Sequence, residues 1–318
     1  MLFVLVGCIT KEYSFKVLNE NIIFEQSETQ FHVSMLKDKV QVFLGEKETN
    51  FDAVSYSGDI DLLKVGQYEI SLNATNKNKV SKLPLVINVV DTVKPEFLVF
   101  ENEFLIYKNE LIQMISDYFF INLVDGPNGI INERISFEGS VNKELAGLYP
   151  VTLIGQDLSG NKVEHDVNVR VTDIIDEKAM YLYQRAIKAA HGETLVFKKN
   201  DPSLQIINFD TAFNVFTPNY RSHFMWLSGI NGTFNPKQSG VQLFKDHDNM
   251  MYASIKPSMD ADKYVGTSLS IQNEDEGYRH YIATSTYKNN EETFTRIYKF
   301  IIRELDGIWH VEEFYMPY

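Results

Sequence analysis

The sequence is poor in cysteine and in positive charge, and it lacks a long apolar segment. Its one cysteine, Cys8, excludes a disulfide within the chain and a cysteine-based zinc site. No stretch provides the roughly 20 apolar residues that a membrane-spanning helix needs. With 30 Lys and Arg against 43 Asp and Glu, the net charge is −13. Because nucleic-acid binding needs a basic face, we expect no nucleic-acid partner.

What the sequence does contain is typical of a folded, strand-rich protein. Apolar residues make up 44% and charged residues 23%, as in ordinary globular domains. The 22 Phe and 17 Tyr favour strands. A length of 318 residues predicts two or three domains.

The single cysteine follows a short apolar run that ends in Leu5-Val6-Gly7. This run resembles the lipobox of bacterial lipoproteins, which is cut just before a cysteine that carries a diacylglyceryl group. The resemblance implies a lipidated Cys8 and a place at the outer face of the cytoplasmic membrane, on the cell surface. Two acyl chains anchor a protein stably, whereas one holds only marginally. Two alternatives stay open: a mis-assigned or trimmed start, since no basic segment precedes the run, and a first strand with a buried thiol.

An internal repeat with a spacing of 81 residues covers the first half of the chain. Val65–Asn76 matches Ala146–Asp157, with a Gly, then a Tyr two residues later, then alternating apolar residues. Each block is followed by a polar turn and a second alternating strand, which ends at Asp91 or Asp173. This pattern predicts paired strands with one face in a core. We expect Tyr68 and Tyr149 to pack inward or at a corner.

The repeat resembles the tandem Ig-like modules of Gram-positive surface proteins. The second copy carries the expected motif residues, namely Gly147, Tyr149, Val151, Asp157, Gly160 and Asn161. The first copy has Asn76 in place of the Asp and a shorter turn without the Gly. The resemblance implies antiparallel β-sandwich modules at 15–91 and 92–173, after a signal remnant, lipobox and tether at 1–14.

Two short acidic motifs could be interpreted as metal sites. Asp157-Leu-Ser-Gly-Asn161 could bind calcium, but Asp, Gly and Asn are also the residues that any tight turn favours. The triplet at 246–248 (Asp-His-Asp) is more typical of a solvated hairpin turn. The sequence therefore predicts no metal site and no cofactor.

The pattern changes after Asp173. Ile175, Ala179, Leu182, Ala186 and Ala190 recur at helical spacing, and further helices are predicted at 208–216 and from Thr217-Pro218 to Leu227. Long strands follow, and Asp306-Gly307 predicts a type I′ hairpin. We expect Trp309 to be largely buried, with Trp309 and Val311 on one strand face and Phe314 on the other.

This order predicts a multidomain fold: the two Ig-like sandwiches followed by an α+β domain at 174–318, with helices packed on a curved antiparallel sheet. The motif Phe-Thr-Pro-x-Tyr-Arg-x-x-Phe from Phe216 and the ending Asp-Gly-x-Trp-x-Val-x-x-Phe resemble the NTF2-like class. They also resemble the small cell-wall endopeptidase inhibitors of the IseA type. The resemblance implies a pocket between helices and sheet.

The candidate pocket-binding residues are Tyr220, His223, His280 and Tyr298. A pocket histidine could act as a base because its pKa lies near neutrality. These residues are scattered, however, and aromatic alternation is more typical of a core, so no catalytic residue is predicted.

Two functions are consistent with these patterns. The first is a membrane-anchored extracytoplasmic lipoprotein, whose Ig-like stalk presents a C-terminal domain that binds a protein, a peptide or cell wall. The second is a hydrolase or isomerase that acts on a small molecule. A deep pocket with a buried His–carboxylate pair would favour the enzyme, whereas a pocket plugged by Phe and Tyr would favour binding.

Overall fold

The computed structural model describes residues 11–99, 101–111, 121–190, 195–198, 213–221, 241–247, 250–255, 262–275, 277–289 and 292–315. The chain divides into two compact units, Met1–Val93 and Lys94–Tyr318. Among the described residues, no helix has the length and apolar character required to cross a membrane.

The first unit is a β-sandwich of two sheets. Its strands are β1 (Tyr13–Val17), β2 (Ile22–Glu25), β3 (Val40–Leu44), β4 (Lys47–Thr49), β5 (Val54–Ser57), β6 (Gly66–Asn76) and β7 (Lys79–Val90). One sheet has the order β1-β3-β4 and the other β2-β7-β6-β5. Alternate apolar side chains of both sheets, such as Val42, Leu72 and Ile87, fill the space between them. The alternation in the sequence is therefore that of a sandwich with one buried face per sheet.

The second unit begins with a sandwich of the same design. Its strands are β8 (Glu96–Val99), β9 (Glu103–Tyr107), β10 (Ile121–Asp125), β11 (Gly129–Ile130), β12 (Ile135–Glu138), β13 (Gly147–Gln156) and β14 (Lys162–Thr172). The sheets have the orders β11-β10-β8 and β12-β13-β14-β9. Ile22 pairs with Ile87, and Glu103 with Asn168, which is the same pairing displaced by 81 residues. The two predicted β-sandwich modules are confirmed.

The prediction that both modules are antiparallel is wrong in one respect. β2 pairs with β7 in parallel, and β9 pairs with β14 in parallel. In each module an early strand runs beside the closing strand and covers the edge that the β6–β7 or β13–β14 hairpin would otherwise expose.

The remainder of the second unit contains two more sheets and a helix. The strands are β15 (Leu195–Lys198), β16 (Val241–His247), β17 (Met250–Ile255), β18 (Asp262–Asp275), β19 (Tyr278–Asn289), β20 (Glu292–Leu305) and β21 (Ile308–Tyr315). Their orders are β15-β17-β16 and β18-β19-β20-β21. Helix α1 spans Ile175–Ala190. Its apolar stripe packs on one face of the β18–β21 sheet, which we call the inner face.

The predicted α+β domain with several helices on a sheet is wrong. In the described ranges the second unit is mostly strands, and α1 is its one full helix. Residues 208–212 of the predicted helix at 208–216 lie outside the described residues, and Phe213 is helical. The helix does not extend to 216, because Val215 O accepts from Val311 N (2.8 Å) and Phe216 forms a parallel bridge to Val311. The β-favouring Val and Phe residues here extend the edge of the sheet beside β21. Residues 218–221 are helical, in agreement with the helix predicted to begin at Thr217-Pro218, and the rest of that predicted helix lies outside the described residues.

The terminal hairpin confirms the predicted turn but not the predicted strand faces. Asp306 and Gly307 have φ of 52° and 76°, as a type I′ turn requires. Trp309 is buried in the core beneath α1. Phe314, however, packs on the same inner face, because a bulge between Ile301 and Ile302 adds one residue to β21 and reverses the alternation.

Candidate functional site

The two candidate tyrosines are buried and take part in packing. The Tyr220 hydroxyl donates a hydrogen bond to the backbone oxygen of Phe314, and its ring packs against Phe216 with centroids 5.6 Å apart. The Tyr298 hydroxyl lies 3.1 Å from that of Tyr287. Burial and this hydrogen bond raise the pKa of Tyr287, so the Tyr287 hydroxyl stays protonated. Among the described residues, both candidate tyrosines are therefore part of the core.

His280 lies on the face of the sheet opposite Tyr298. Its neighbour Tyr281 pairs with Phe300 on the inner face, so His280 points away from α1. The His280 Nε2 lies 3.5 Å from Asp275 Oδ2, and the two side chains are 29% and 59% exposed. The structure thus gives a solvent-facing His–carboxylate pair and does not bring His280 together with Tyr220 and Tyr298. The candidates His223 and Cys8 lie outside the described residues.

Aromatic rings fill the layer between α1 and the inner face. Tyr183 of α1 makes edge contacts with Phe300 and Phe314, with centroids 5.2 and 5.4 Å apart. Tyr298 stacks on Phe314 at 5.2 Å. The Tyr183 hydroxyl reaches Ser285 Oγ at 2.5 Å. Among the described residues, the space between α1 and the inner face is therefore a packed core and not a pocket.

A buried ion pair that was not predicted lies where α1 meets the second sandwich. Glu110, three residues after β9, accepts from Lys178 Nζ of α1 at 2.8 Å, and both side chains are at most 1% exposed. Lys178 Nζ also donates to the Leu105 backbone oxygen at 3.1 Å. Burial lowers the pKa of Lys178 to about 8, with Glu110 acting in the opposite direction.

Further polar groups of α1 and β21 lie next to this pair. Arg185 Nη2 donates to Asn214 Oδ1 at 3.1 Å, and His310 Nδ1 lies 3.2 Å from the Asn214 backbone oxygen. Burial lowers the pKa of His310, so its imidazole is held neutral. The helix contained a signal for this cluster, because Lys178 and Arg185 are seven residues apart, directly beside the apolar stripe. Charged residues with that spacing lie on one helix face.

The Asp157–Asn161 turn has the hydrogen bonds of a structural turn. Asp157 Oδ1 accepts from Asn161 N, and Oδ2 accepts from Asn161 Nδ2, both at 2.8 Å. The buried carboxylate of Asp125 lies within 4.8 Å of that of Asp157 and accepts from Asn128 Nδ2 at 2.7 Å. Amide donors therefore satisfy oxygens of both carboxylates.

A groove of about 430 Å³ lies on the larger sheet of the second sandwich. Strand β12 stops at Glu138, because Gly139 (φ 120°) turns the chain away from β13; a Cβ at Gly139 would lie 2.9 Å from Pro150 O. Glu138, Thr152 and Asp166 form one row across the opening, where Thr152 Oγ1 donates to Asp166 at 2.7 Å. The groove thus presents carboxylates and a hydroxyl, and no motif in the sequence indicates it.

Comparison with known proteins gives structural similarity only. No family model and no curated protein match the sequence. Among similar solved structures, the M60 catalytic domain with two CBM51 domains of Clostridium perfringens ZmpB is 9% identical (TM-score 0.31; 52% of this chain, 31% of that one). Fibronectin(III)-like modules of Clostridium thermocellum CbhA are 14% identical (TM-score 0.20; 51% of this chain, 94% of that one). A lipoprotein of Bacteroides thetaiotaomicron is 10% identical (TM-score 0.20; 50% of this chain, 100% of that one). At this level of similarity the neighbours assign neither a family nor a site.

Proposed function

We propose that the protein is an extracytoplasmic binding lipoprotein that is anchored in the membrane through Cys8 and recognises a protein, peptide or cell-wall partner. The observation that carries the binding role is the aromatic layer beneath α1. Tyr183, Tyr298 and Phe314 fill the space between α1 and the inner face, where the described residues could otherwise have enclosed a small molecule. A plugged layer supports recognition at the surface rather than turnover inside the domain.

The groove beside Pro150 is the surface where we place the partner. Its volume lies within the range of roughly 300–1,000 Å³ that is typical of ligand sites. Glu138 and Asp166 line it, and the chain as a whole carries a charge of −13. A partner that presents lysine, arginine or a free amino group is attracted to such a surface.

The binding test uses the full chain and isolated cell-wall fragments or surface-protein extracts. Thr152→Arg places a long cationic side chain in the groove and should reduce the bound fraction at least about tenfold, as expected for a blocked site. Ser71→Arg, at the position of the first sandwich that corresponds to Thr152, makes the same change of charge in the other unit and should bind as wild type. Equal binding by both variants would remove the groove from the proposal.

The anchor test compares wild type with Cys8→Ser after expression from an upstream start in a bacterial host. Wild type should be found in the membrane fraction and the variant in the soluble fraction, because two acyl chains hold a protein at a membrane. Equal membrane retention would contradict lipidation.

A second candidate, a hydrolase or isomerase, is favoured by the contact between His280 and Asp275. A carboxylate near a histidine can support general-base chemistry. An activity screen on the full chain distinguishes the two functions: turnover that His280→Ala abolishes, with the fold intact, would establish the enzyme. Unchanged partner binding by the same variant would show that the two sites are separate.

A further inference from the structure

Glu110 is in contact with three separate segments of the second unit. Its Oε2 accepts from Tyr107 N at the end of β9 (2.6 Å) and from Lys178 Nζ of α1 (2.8 Å). Its Oε1 accepts from Trp309 N of β21 at 2.9 Å. One carboxylate group therefore links the second sandwich, the helix and the terminal hairpin.

The contacts around this carboxylate strengthen the same junction. The Leu111 N donates to the Gly307 backbone oxygen at 3.0 Å, which links the residue after Glu110 to the type I′ turn. The rings of Tyr107 and Trp309 meet edge to face with centroids 6.3 Å apart. We call Tyr107, Glu110, Lys178 and Trp309 the Glu110 joint.

The chemistry of the joint indicates that it fixes the relative orientation of β9, α1 and β21 and adds little to the free energy of unfolding. Removing a lysine and a carboxylate from water costs about as much as their attraction returns, and apolar replacements of buried pairs are often neutral or stabilising. A carboxylate with three directional donors is satisfied in one arrangement only. Any relative displacement of β9, α1 and β21 would leave a buried charge or an amide without its partner.

The first sandwich provides an internal reference. The residue that corresponds to Glu110 at the 81-residue spacing is Thr29, which is exposed. The sandwich framework therefore forms without a buried carboxylate at this position, and Glu110 is an addition of the second copy.

We propose that the Glu110 joint fixes the orientation of α1 and the β18–β21 sheet on the second sandwich. The end of β9, α1 and the terminal hairpin then unfold locally as one unit. As a result, the distance between the groove on the second sandwich and the β18–β21 sheet stays constant. The proposal does not depend on which partner the protein binds.

The test is hydrogen exchange of the full chain, followed by mass spectrometry, for wild type and Glu110→Gln. The glutamine keeps the size of the side chain but replaces one acceptor by an NH₂ group, which opposes an N–H donor. Peptides that cover 103–111, α1 and 308–315 should all exchange roughly ten- to a hundredfold faster, as expected when one buried polar contact is lost. Peptides from the middle of β13 and β14 should keep wild-type rates.

Glu103→Gln is the matched control. It lies on the same segment and removes an ion pair with Arg170, but its side chain is 49% exposed, so exchange should stay as in wild type. Faster exchange of 103–111 alone in Glu110→Gln would overturn the joint, and so would an equal change across the whole second unit. If Glu110→Gln does not fold, Lys178→Met is measured instead. Unchanged exchange at 308–315 in that variant would then overturn the proposal.

Discussion

The two sandwiches share one framework but differ in how their interiors are filled. Both have a glycine at the end of the short edge strand, Gly58 or Gly139, with φ of 108° and 120°. In both, a tyrosine hydroxyl donates to a backbone oxygen four residues earlier at 2.8 Å, from Tyr68 to Lys64 and from Tyr149 to Leu145. The repeat of 81 residues is therefore one of backbone geometry and not only of composition.

The cores show a compensating exchange of volume. Gly155 of the second sandwich corresponds to Ala74 of the first, and Leu123 corresponds to Val42; Ala74 and Val42 are both buried. A Cβ at Gly155 would lie 2.4 Å from Leu123 Cδ1. The larger Leu123 thus occupies the space that a methyl group fills in the first module, which shows that repeated frameworks diverge by paired changes.

The largest expected effect tests the feature that the second sandwich has and the first lacks, its docked terminal hairpin. Gly307→Val introduces a β-branched residue at φ 76° and a Cβ that would lie 2.8 Å from Leu111 Cδ1. Strain and overpacking together should destabilise the second unit by about 2–5 kcal/mol in urea unfolding. Gly277→Val has the same φ of 76° and open space around the Cβ, so it should cost less. Equal costs would show that the contact with Leu111 contributes nothing.

The second expected effect tests the exchange of volume between the cores. Gly155→Ala should destabilise the second unit by about 1–3 kcal/mol, because the added methyl overlaps Leu123. Leu123→Val in the same chain recreates the pair found in the first module and should recover most of that loss. Chemical unfolding of the two single variants and the double variant gives the coupling free energy. If the double variant lost the sum of the two single losses in unfolding free energy, the proposed compensation between Gly155 and Leu123 would be contradicted.

The sequence allowed prediction of the sandwiches but not of the arrangement after residue 173. The Gly-x-Tyr blocks and the alternating strands are local signals, and Asp306-Gly307 favours the positive φ values of a type I′ turn. Because each of these predictions depends only on neighbouring residues, each was confirmed. The extra residue in β21 reversed the face of Phe314, which no alternation in the sequence reveals. Of the helix predicted at 208–216, the described residues 214–216 leave the helical pattern, because pairing of Val215 and Phe216 with β21 overrides helical periodicity there. The Glu110–Lys178 contact joins residues 68 positions apart, and such contacts depend on the fold.

A third, smaller effect tests whether the paired tyrosines serve the same purpose. Tyr68→Phe and Tyr149→Phe each remove a hydroxyl that donates to a backbone oxygen at a strand corner. Each should cost about 0.5–1.5 kcal/mol, since the partner oxygen stays accessible to water. Each loss should appear only in the unit that carries the substitution, as followed by hydrogen exchange of β6 or β13. A loss in one module and none in the other would break the equivalence of the two corners.

The smallest expected effect concerns His310, which belongs to the second unit and has no counterpart in the first. Asn214 O, Lys178, Glu110 and Arg185 face this imidazole, and burial lowers its pKa. In the pH range between the lowered pKa and the ordinary value of about 6.5, the unfolded chain binds a proton that the folded chain does not. The contribution of His310 to stability is therefore complete above pH of about 6.5 and falls as the pH is lowered. We expect the free energy of unfolding of the second unit to decrease between about pH 7.5 and about pH 5, and His310→Gln to make that decrease shallower. The first unit of the same chain is the internal control, and a pH profile of the variant that matches wild type would show that other groups produce the slope.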